Sequence, residues 1–180
     1  MTPEQKVALK NNILASTDPA VMEALANRND TELVRLYNLP STFVIWRTDT
    51  SKSAIFGAIT WKNLTPIDTP DGTQLYTNRS HACEGKQMTL QTMLISPGTT
   101  LNMADQSIRD GIKDSLQNLP SGAGGTLLDA GWAATKAVST RFASVVEKIF
   151  TSGAGTSANP GTATYEGTVN ITIMGEALNG

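Results

Sequence analysis

The single histidine and single cysteine are the first residues whose types could do chemistry together. His81 and Cys83 are two positions apart, a spacing that places side chains on one face of a strand but on different sides of a helix. A cysteine nucleophile with a histidine base also needs a third group that orients the base. None can be identified for this pair, so we predict an ordinary small apolar thiol and no catalytic residue.

The same two residues argue against a metal centre. One histidine and one cysteine leave two zinc ligands to find among carboxylates, and the sequence contains no CxxC pair. Asp68 and the Asp71-Gly72 pair lack the remaining oxygen ligands of a calcium loop at the required spacing. We therefore expect no metal and no cofactor.

A glycine-rich stretch at 121–126 precedes a helical pattern, where backbone N–H groups could hold a phosphate. The stretch lacks the lysine of GxxxxGK[ST], and no clear strand precedes it as a GxGxxG fingerprint requires. It indicates a linker that allows the following helix to begin.

The overall charge limits the possible partners. The chain has 180 residues, of which 14 are basic and 16 are acidic, for a net charge of −2. Since no excess of positive charge would attract a phosphate backbone, we expect no specific nucleic-acid binding. Residues 1–6 lack the basic region of a signal peptide, and no run approaches the roughly 18 apolar residues of a membrane span. These features favour a soluble protein without a membrane partner.

Helical patterns occupy much of the first 120 residues. Three short helices are predicted from start signals at Thr2-Pro3, Asp18-Pro19 and Asp30. The stretch 43–48 is aromatic and β-branched, and indicates either a short strand or an extended entry into a helix. Weaker helical patterns follow at 52–64, 80–94 and 103–119, and the prolines and the Asp-Gly pair within 65–77 indicate an inserted loop or hairpin.

The strongest periodic pattern covers residues 127–150. It predicts one continuous helix of about 36 Å, because apolar positions recur every three or four residues. These positions are Leu128, Trp132, Thr135, Val138, Phe142, Val145 and Ile149.

The composition changes after Phe150. Residues 151–162 are mostly glycine, serine and threonine and indicate an extended arm. Residues 168–174 then alternate polar and apolar, as a short strand does, and would need a partner edge in the same domain or on a neighbouring subunit. The expected fold is mainly α: a compact helical domain over 1–150 with one long helix in its C-terminal half, followed by an extended arm with a short terminal strand over 151–180.

Several segments in combination carry a resemblance to a known family. They are Leu36-Tyr37-Asn38-Leu39-Pro40, Phe43-Val44-Ile45-Trp46-Arg47-Thr48, Arg141-Phe142-Ala143, Glu147-Lys148-Ile149-Phe150, Ser152-Gly153-Ala154-Gly155-Thr156, Pro160 and Tyr165-Glu166-Gly167. In these segments the chain resembles a family of small structural proteins encoded among the virion genes of tailed bacteriophages. The resemblance covers about the first fifty and the last fifty residues, and 65–77 departs from it.

The resemblance implies a non-enzymatic virion component with no catalytic residue to transfer. The expected role is a ring-forming subunit of the head-to-tail connector or neck, such as a collar or head-completion protein. Its partners would be further copies of itself in the ring and other virion proteins such as portal, adaptor or tail subunits. The expected location is the virion, assembled in the bacterial host cytoplasm. The alternatives are a capsid decoration or other tail structural protein and, behind these, a small enzyme or an assembly factor.

Six residues are predicted to lie at subunit interfaces. Two are tryptophans outside the predicted long helix, and four lie in the tail, where a strand could be added to a neighbour. These six are Trp46, Trp61, Tyr165, Val169, Ile171 and Ile173. On this hypothesis, removal of residues 151–180 should leave a folded helical body that no longer enters particles.

Overall fold

The computed structural model describes residues 1–64, 74–120 and 127–180, without the side chains of residues 74–82 and of Pro120. Most of the predicted loop or hairpin at 65–77, and the glycine-rich stretch at 121–126, lie outside this part of the chain. The described residues form two compact units. Unit 1 contains residues 1–46 and 141–180, and unit 2 contains residues 47–140. These boundaries differ from those of the predicted body at 1–150 and arm at 151–180.

The fold is mixed α/β, so the predicted mainly α class is wrong. In chain order, the helices are α1 (Pro3–Leu14), α2 (Pro19–Ala26), α3 (Asp30–Tyr37), α4 (Lys52–Ala58), α5 (Gln74–Ile95), α6 (Gln106–Leu116), α7 (Trp132–Val138), α8 (Val145–Ile149) and α9 (Ile171–Asn179). The strands are β1 (Pro40–Trp46), β2 (Thr50–Ser51), β3 (Thr100–Leu101), β4 (Leu119–Pro120), β5 (Leu127–Leu128), β6 (Thr140–Ser144), β7 (Thr151–Ser152) and β8 (Thr162–Ala163). The strands pair two by two as β1–β6, β2–β3, β4–β5 and β7–β8.

Local capping explains the first three helices and confirms their predicted starts. The Thr2 hydroxyl accepts a hydrogen bond from the Gln5 N–H, and the Gln5 side chain accepts one from the Thr2 N–H, which together form a capping box. The Asp18 carboxylate caps α2 through the Ala20 N–H. The Asn29 side chain caps α3 through the Glu32 N–H, one residue before the predicted signal.

The core of unit 1 joins the two ends of the sequence. Helix α9 packs against α1 and α3, and α8 packs against α1. Burying each large apolar side chain contributes about 1.5–3 kcal/mol, so these contacts stabilise unit 1. The largest fully buried members are Leu9, Ile13, Leu33 and Tyr37, with Val146 and Met174 from the C-terminal segment.

The predicted continuous helix at 127–150 is wrong. The segment contains β5, α7, β6 and α8. Helix α7 ends at Val138, and the chain then pairs with β1 as a strand. Helix α8 then begins at Val145, and its N-cap Ser144 forms a second capping box with Glu147 through the Ser144 hydroxyl and the Glu147 carboxylate. The strand interrupts the helical periodicity, and Phe142, one of the apolar positions of the predicted helix, is 61% exposed.

The predicted extended arm is part of unit 1. Strands β7 and β8 pair as a short antiparallel hairpin. The Val44 N–H donates to the Gly155 carbonyl oxygen at 2.8 Å, and the Gly161 N–H donates to the Val44 carbonyl oxygen at 2.8 Å. These bonds attach the glycine-rich segment to β1.

The predicted terminal strand at 168–174 is also wrong, because most of it belongs to α9. The Asn170 side chain accepts from the Ile173 N–H and starts the helix. Met174 and Ala177 are buried against the unit 1 core. A truncation at residue 150 would therefore remove part of this core rather than a free arm.

Unit 2 is built on α5. Helix α5 packs against α6 and β4, and α4 packs against α7. The buried apolar side chains include Ile55, Leu64, Leu90, Ile112 and Leu116. Strands β2 and β3 pair with Thr50 opposite Leu101, which joins the two ends of the segment that carries α4 and α5.

Candidate functional site

Two of the six predicted interface residues are buried inside the folded chain. Trp46, at the end of β1, is 7% exposed, and Val169 is 2% exposed. Both backbone polar groups of Val169 bond the side chain of Asn38: the Val169 N–H donates to Asn38 Oδ1 at 2.9 Å, and Asn38 Nδ2 donates to the Val169 carbonyl oxygen at 2.8 Å. Neither side chain has the exposed area that a subunit contact needs.

Tyr165 stabilises the approach to α9. Its ring packs edge to face on Phe150 with centroids 5.6 Å apart, and its hydroxyl donates to the Thr168 carbonyl oxygen at 2.9 Å. Burial, and to a lesser degree the Glu147 carboxylate, raises the pKa of Tyr165. A hydroxyl that bonds its own chain is committed to local structure.

The two isoleucines of the tail lie on α9 rather than on a strand. Ile173 packs against the unit 1 core. Ile171 begins the helix and is 56% exposed. Of the four predicted tail residues, Ile171 is therefore the one with its side chain largely in solvent.

Trp61 lies in the exposed apolar region that contains the best candidate for an interaction surface. Its ring packs on Phe56 with centroids 4.6 Å apart and an angle of 42° between the planes. Its Nε1 donates to the Phe56 carbonyl oxygen at 3.0 Å. The backbone of α4 therefore holds the indole at the surface. The Phe56 side chain is 55% exposed beside it.

Helix α5 completes this surface with Leu94 and Ile95. Together with Phe56 and Trp61, these residues line a shallow cavity of about 240 Å³, and we call the four side chains the α4–α5 patch. Ile95 is 82% exposed. Phe56 and Ile95 were not among the predicted interface residues, because their exposure depends on which faces of α4 and α5 are packed.

The ammonium group of Lys52, beside the α4–α5 patch, is hydrogen-bonded within the protein. Lys52 lines the same cavity but is 7% exposed. Its ammonium donates to the Ser96 carbonyl oxygen at 2.5 Å and to the Ser96 hydroxyl at 2.8 Å. The patch therefore presents apolar area with little free charge, which is the chemistry of a protein contact.

A cluster of charged side chains lies in unit 1, among residues that carry the family resemblance. Arg141 donates to the two Glu147 carboxylate oxygens at 2.7 and 2.8 Å, and it lies 3.5 Å from the Glu166 carboxylate. Glu147 also accepts from the N–H groups of Ser144 at 2.8 Å and Gly167 at 2.9 Å. We call Arg141, Glu147 and Glu166 the Arg141 network.

Within the Arg141 network, the electrostatics favour permanent charges on Arg141 and Glu147. Burial alone would raise the pKa of Glu147, but the hydrogen bonds from Arg141, Ser144 and Gly167 outweigh it and lower that pKa to about 2. The Glu147 hydrogen bond also raises the pKa of Arg141. A carboxylate that holds its charge so firmly is a poor general acid or base near neutral pH. The network is therefore suited to fixing the turn from β6 into α8.

Of the two side chains His81 and Cys83, the structure describes that of Cys83. Cys83 is a fully buried free thiol on α5, and the side chain of His81 lies outside the described residues. Within the described part of the chain, no group of three or more histidine, cysteine, aspartate or glutamate side chains is arranged to hold a metal ion.

No helix among the described residues has both the length and the apolar character to cross a membrane. Comparison with known proteins gave no match to a family model, to a curated protein or to a solved structure.

Proposed function

We propose that this chain is a non-enzymatic structural subunit of a tailed-bacteriophage virion, assembled as a ring at the head-to-tail junction. The observation that carries the proposal is the α4–α5 patch, where Phe56 and Ile95 leave more than half of their side chains in solvent beside Trp61. Exposed apolar groups that cluster in this way mark sites of association. A subunit in a larger particle would cover them.

The residues behind the family resemblance support a structural role. Arg141, Glu147 and the Glu166-Gly167 pair bond each other in unit 1. Their polar groups are used to hold β6, α8 and the loop before α9 in place. Charged side chains that pair with each other within the fold are expected of a structural protein.

The first experiment counts copies of the chain in purified particles of the phage that encodes it, by quantitative mass spectrometry. We expect about a dozen copies per particle, as in a closed ring that matches a portal. Hundreds of copies would place the chain on the capsid surface or in the tail instead. Complete absence from particles would overturn the structural role and favour an enzyme or an assembly factor.

The second experiment changes the surface that carries the proposal. We expect the double variant Phe56→Ser/Ile95→Ser to reduce incorporation into particles by about tenfold or more, since each lost apolar contact costs on the order of 1 kcal/mol or more. Incorporation is measured against that of the unaltered chain in the same lysate. The matched control is Val7→Ser, which changes a side chain of similar exposure (56%) in unit 1.

Both variants should keep the circular dichroism spectrum of the unaltered protein and a cooperative melting transition, because more than half of each substituted side chain is in solvent. Normal incorporation of the folded double variant would contradict a role for the α4–α5 patch in assembly.

A further inference from the structure

A groove of about 470 Å³ lies in unit 1 between the N-terminal helices and the end of α9. Apolar side chains from three places in the sequence, Leu14, Leu25 and Leu178, contribute to its wall. Lys10 and Arg28 add two cationic groups, and Asp30 adds one carboxylate. We call this the cationic groove.

The two cations of the groove are not used by the unit itself. Among the residues that the structure describes, neither Lys10 nor Arg28 is in an ion pair, whereas the nearby cations Lys6 and Arg35 are paired with Glu176 and Glu32. A groove with apolar walls and two such cations fits a ligand that carries a carboxylate next to apolar groups.

The left-handed backbone conformation of Arg28 is a second indication that its side chain has a function. Arg28 follows the C-cap of α2 and has a φ of 50°, in the left-handed region. Its N–H donates to the Leu25 carbonyl oxygen at 3.1 Å and closes the helix. Glycine or asparagine is the usual residue at such a position, because a β-carbon is unfavourable there. A strained residue of another type at the edge of a cavity points to a function for the side chain.

Unit 2 carries a helix face with complementary chemistry. Glu84, Met88, Gln91 and Ile95 are spaced four, three and four residues apart on α5, so they lie on one face about 16 Å long. All four are exposed, with Met88 at 68% and Ile95 at 82%. We call these four side chains the α5 stripe.

Within the described residues the carboxylate of the stripe is unpaired, and the other side of α5 is packed. Leu90, on the opposite side of α5, is fully buried. Glu84 makes no ion pair with any residue in the described part of the chain. The stripe is therefore the Glu84 carboxylate followed by Met88, Gln91 and Ile95 along the exposed face of α5.

We propose that the α5 stripe of one copy docks in the cationic groove of a second copy. The Glu84 carboxylate would meet Lys10 and Arg28, and Met88 and Ile95 would pack on the leucines of the groove. This is the helix-in-groove mode of recognition. Each copy uses two different surfaces, so the contact repeats head to tail and closes into a ring when the rotation permits. The inference rests on the proposed function and names the contact between its subunits.

The test is self-association of the purified full chain, followed by sedimentation velocity over a range of concentrations. We expect the unaltered chain to associate, and both Lys10→Glu/Arg28→Glu and Glu84→Lys to weaken association at least tenfold. Combining all three changes in one chain should restore association, because the charges of both surfaces are then exchanged. Rescue of this kind is not expected from a general loss of folding.

Two further variants complete the test. Lys113→Glu/Lys148→Glu makes the same change in net charge at exposed positions outside the groove, and should associate normally. Met88→Asp should weaken association, because it places a charge in the apolar half of the stripe. Each variant is compared by its circular dichroism melting curve, and Met88→Asp changes a side chain that is already 68% exposed.

Two outcomes would overturn the docking proposal. One is a chain that stays monomeric at every concentration. The other is association that is unaffected by the groove and stripe variants or that is not restored in the triple variant. The proposed virion function fails separately, through absence of the chain from particles. Chains that associate by this contact but are missing from particles would thus retain the inference and lose the function.

Discussion

Replacing Glu147 by alanine is expected to lower the free energy of unfolding by about 3 kcal/mol, near the lower end of the range for breaking a buried ion pair. The Glu147 side chain is 5% exposed and accepts hydrogen bonds from Arg141, Ser144 and Gly167. Its removal leaves the Arg141 guanidinium without its closest partner and two N–H groups without an acceptor. Arg141 is 29% exposed, so water recovers part of the loss.

The measurement is urea unfolding followed by circular dichroism. Glu32→Ala is the matched control, because it also breaks an arginine–glutamate pair, Arg35–Glu32, but at the surface. The control should cost less than about 1 kcal/mol. An equally small loss for Glu147→Ala would contradict the structural role of the Arg141 network.

The same carboxylate gives the protein a pH dependence of defined sign. The pKa of Glu147 is about 2 in the folded protein and near 4.5 when it is unperturbed. Its folded pKa is the lower one, so its contribution to stability is complete above about pH 4.5 and is lost as the pH falls toward 2. The loss of stability over that window should be smaller in Glu147→Ala than in the unaltered chain.

The second large effect is expected at Gly161, where the tail meets β1. A methyl group on Gly161 would lie 2.6 Å from a ring carbon of Phe43 and 2.6 Å from the Ser152 carbonyl oxygen. The ring can move, but the carbonyl belongs to the β7–β8 hairpin. We therefore expect Gly161→Ala to lower the free energy of unfolding by about 1–3 kcal/mol.

Gly175→Ala is the matched control, since a methyl group there meets no atom within 4 Å and the residue lies inside α9. That change should stabilise the protein by about 0.5–1 kcal/mol, because alanine favours a helix over glycine. Both variants are compared by thermal unfolding. A Gly161→Ala protein as stable as the unaltered chain would show that the tail is not held against β1 as described.

Helix starts were predictable from sequence because their causes are local. Thr2, Asp18 and the Asn29-Asp30 pair are close in sequence to the N–H groups that they cap or precede. The loss of the long helix at 127–150 has a distant cause, because β6 pairs with β1, which lies about a hundred residues earlier. The apolar spacing there continued through Phe142 although that side chain faces solvent.

The tail shows the same limit. Residues 168–174 alternate in polarity as a strand does, and the cap from Asn170 to the Ile173 N–H competes with that pattern. Packing of Met174 and Ala177 on α1 and α3 favours the helix. Local sequence rules do not decide between the helix cap and the strand-like alternation, because the packing that favours the helix involves distant parts of the chain.

The candidate surfaces were accessible to sequence reasoning only in part. Trp61 was predicted as an interface residue from its type, and it lies in the α4–α5 patch. Phe56 and Ile95 carry most of the exposure of that patch, and whether an apolar residue on a helix is inside or outside depends on the neighbouring element. The cationic groove joins residues 10, 28 and 178, and no pattern in the sequence relates them.

The division of the chain also bears on how it acquires its structure during synthesis. Unit 1 consists of residues 1–46 and 141–180, whereas unit 2 is one continuous stretch. The first helices leave the ribosome long before α8 and α9, which complete their core, have been translated. Unit 2 has all of its residues available earlier, so the middle of the sequence can fold while the first segment still waits for its partner. Helices α1 to α3 thus stay exposed to chaperones and proteases for longer during synthesis than the helices of unit 2.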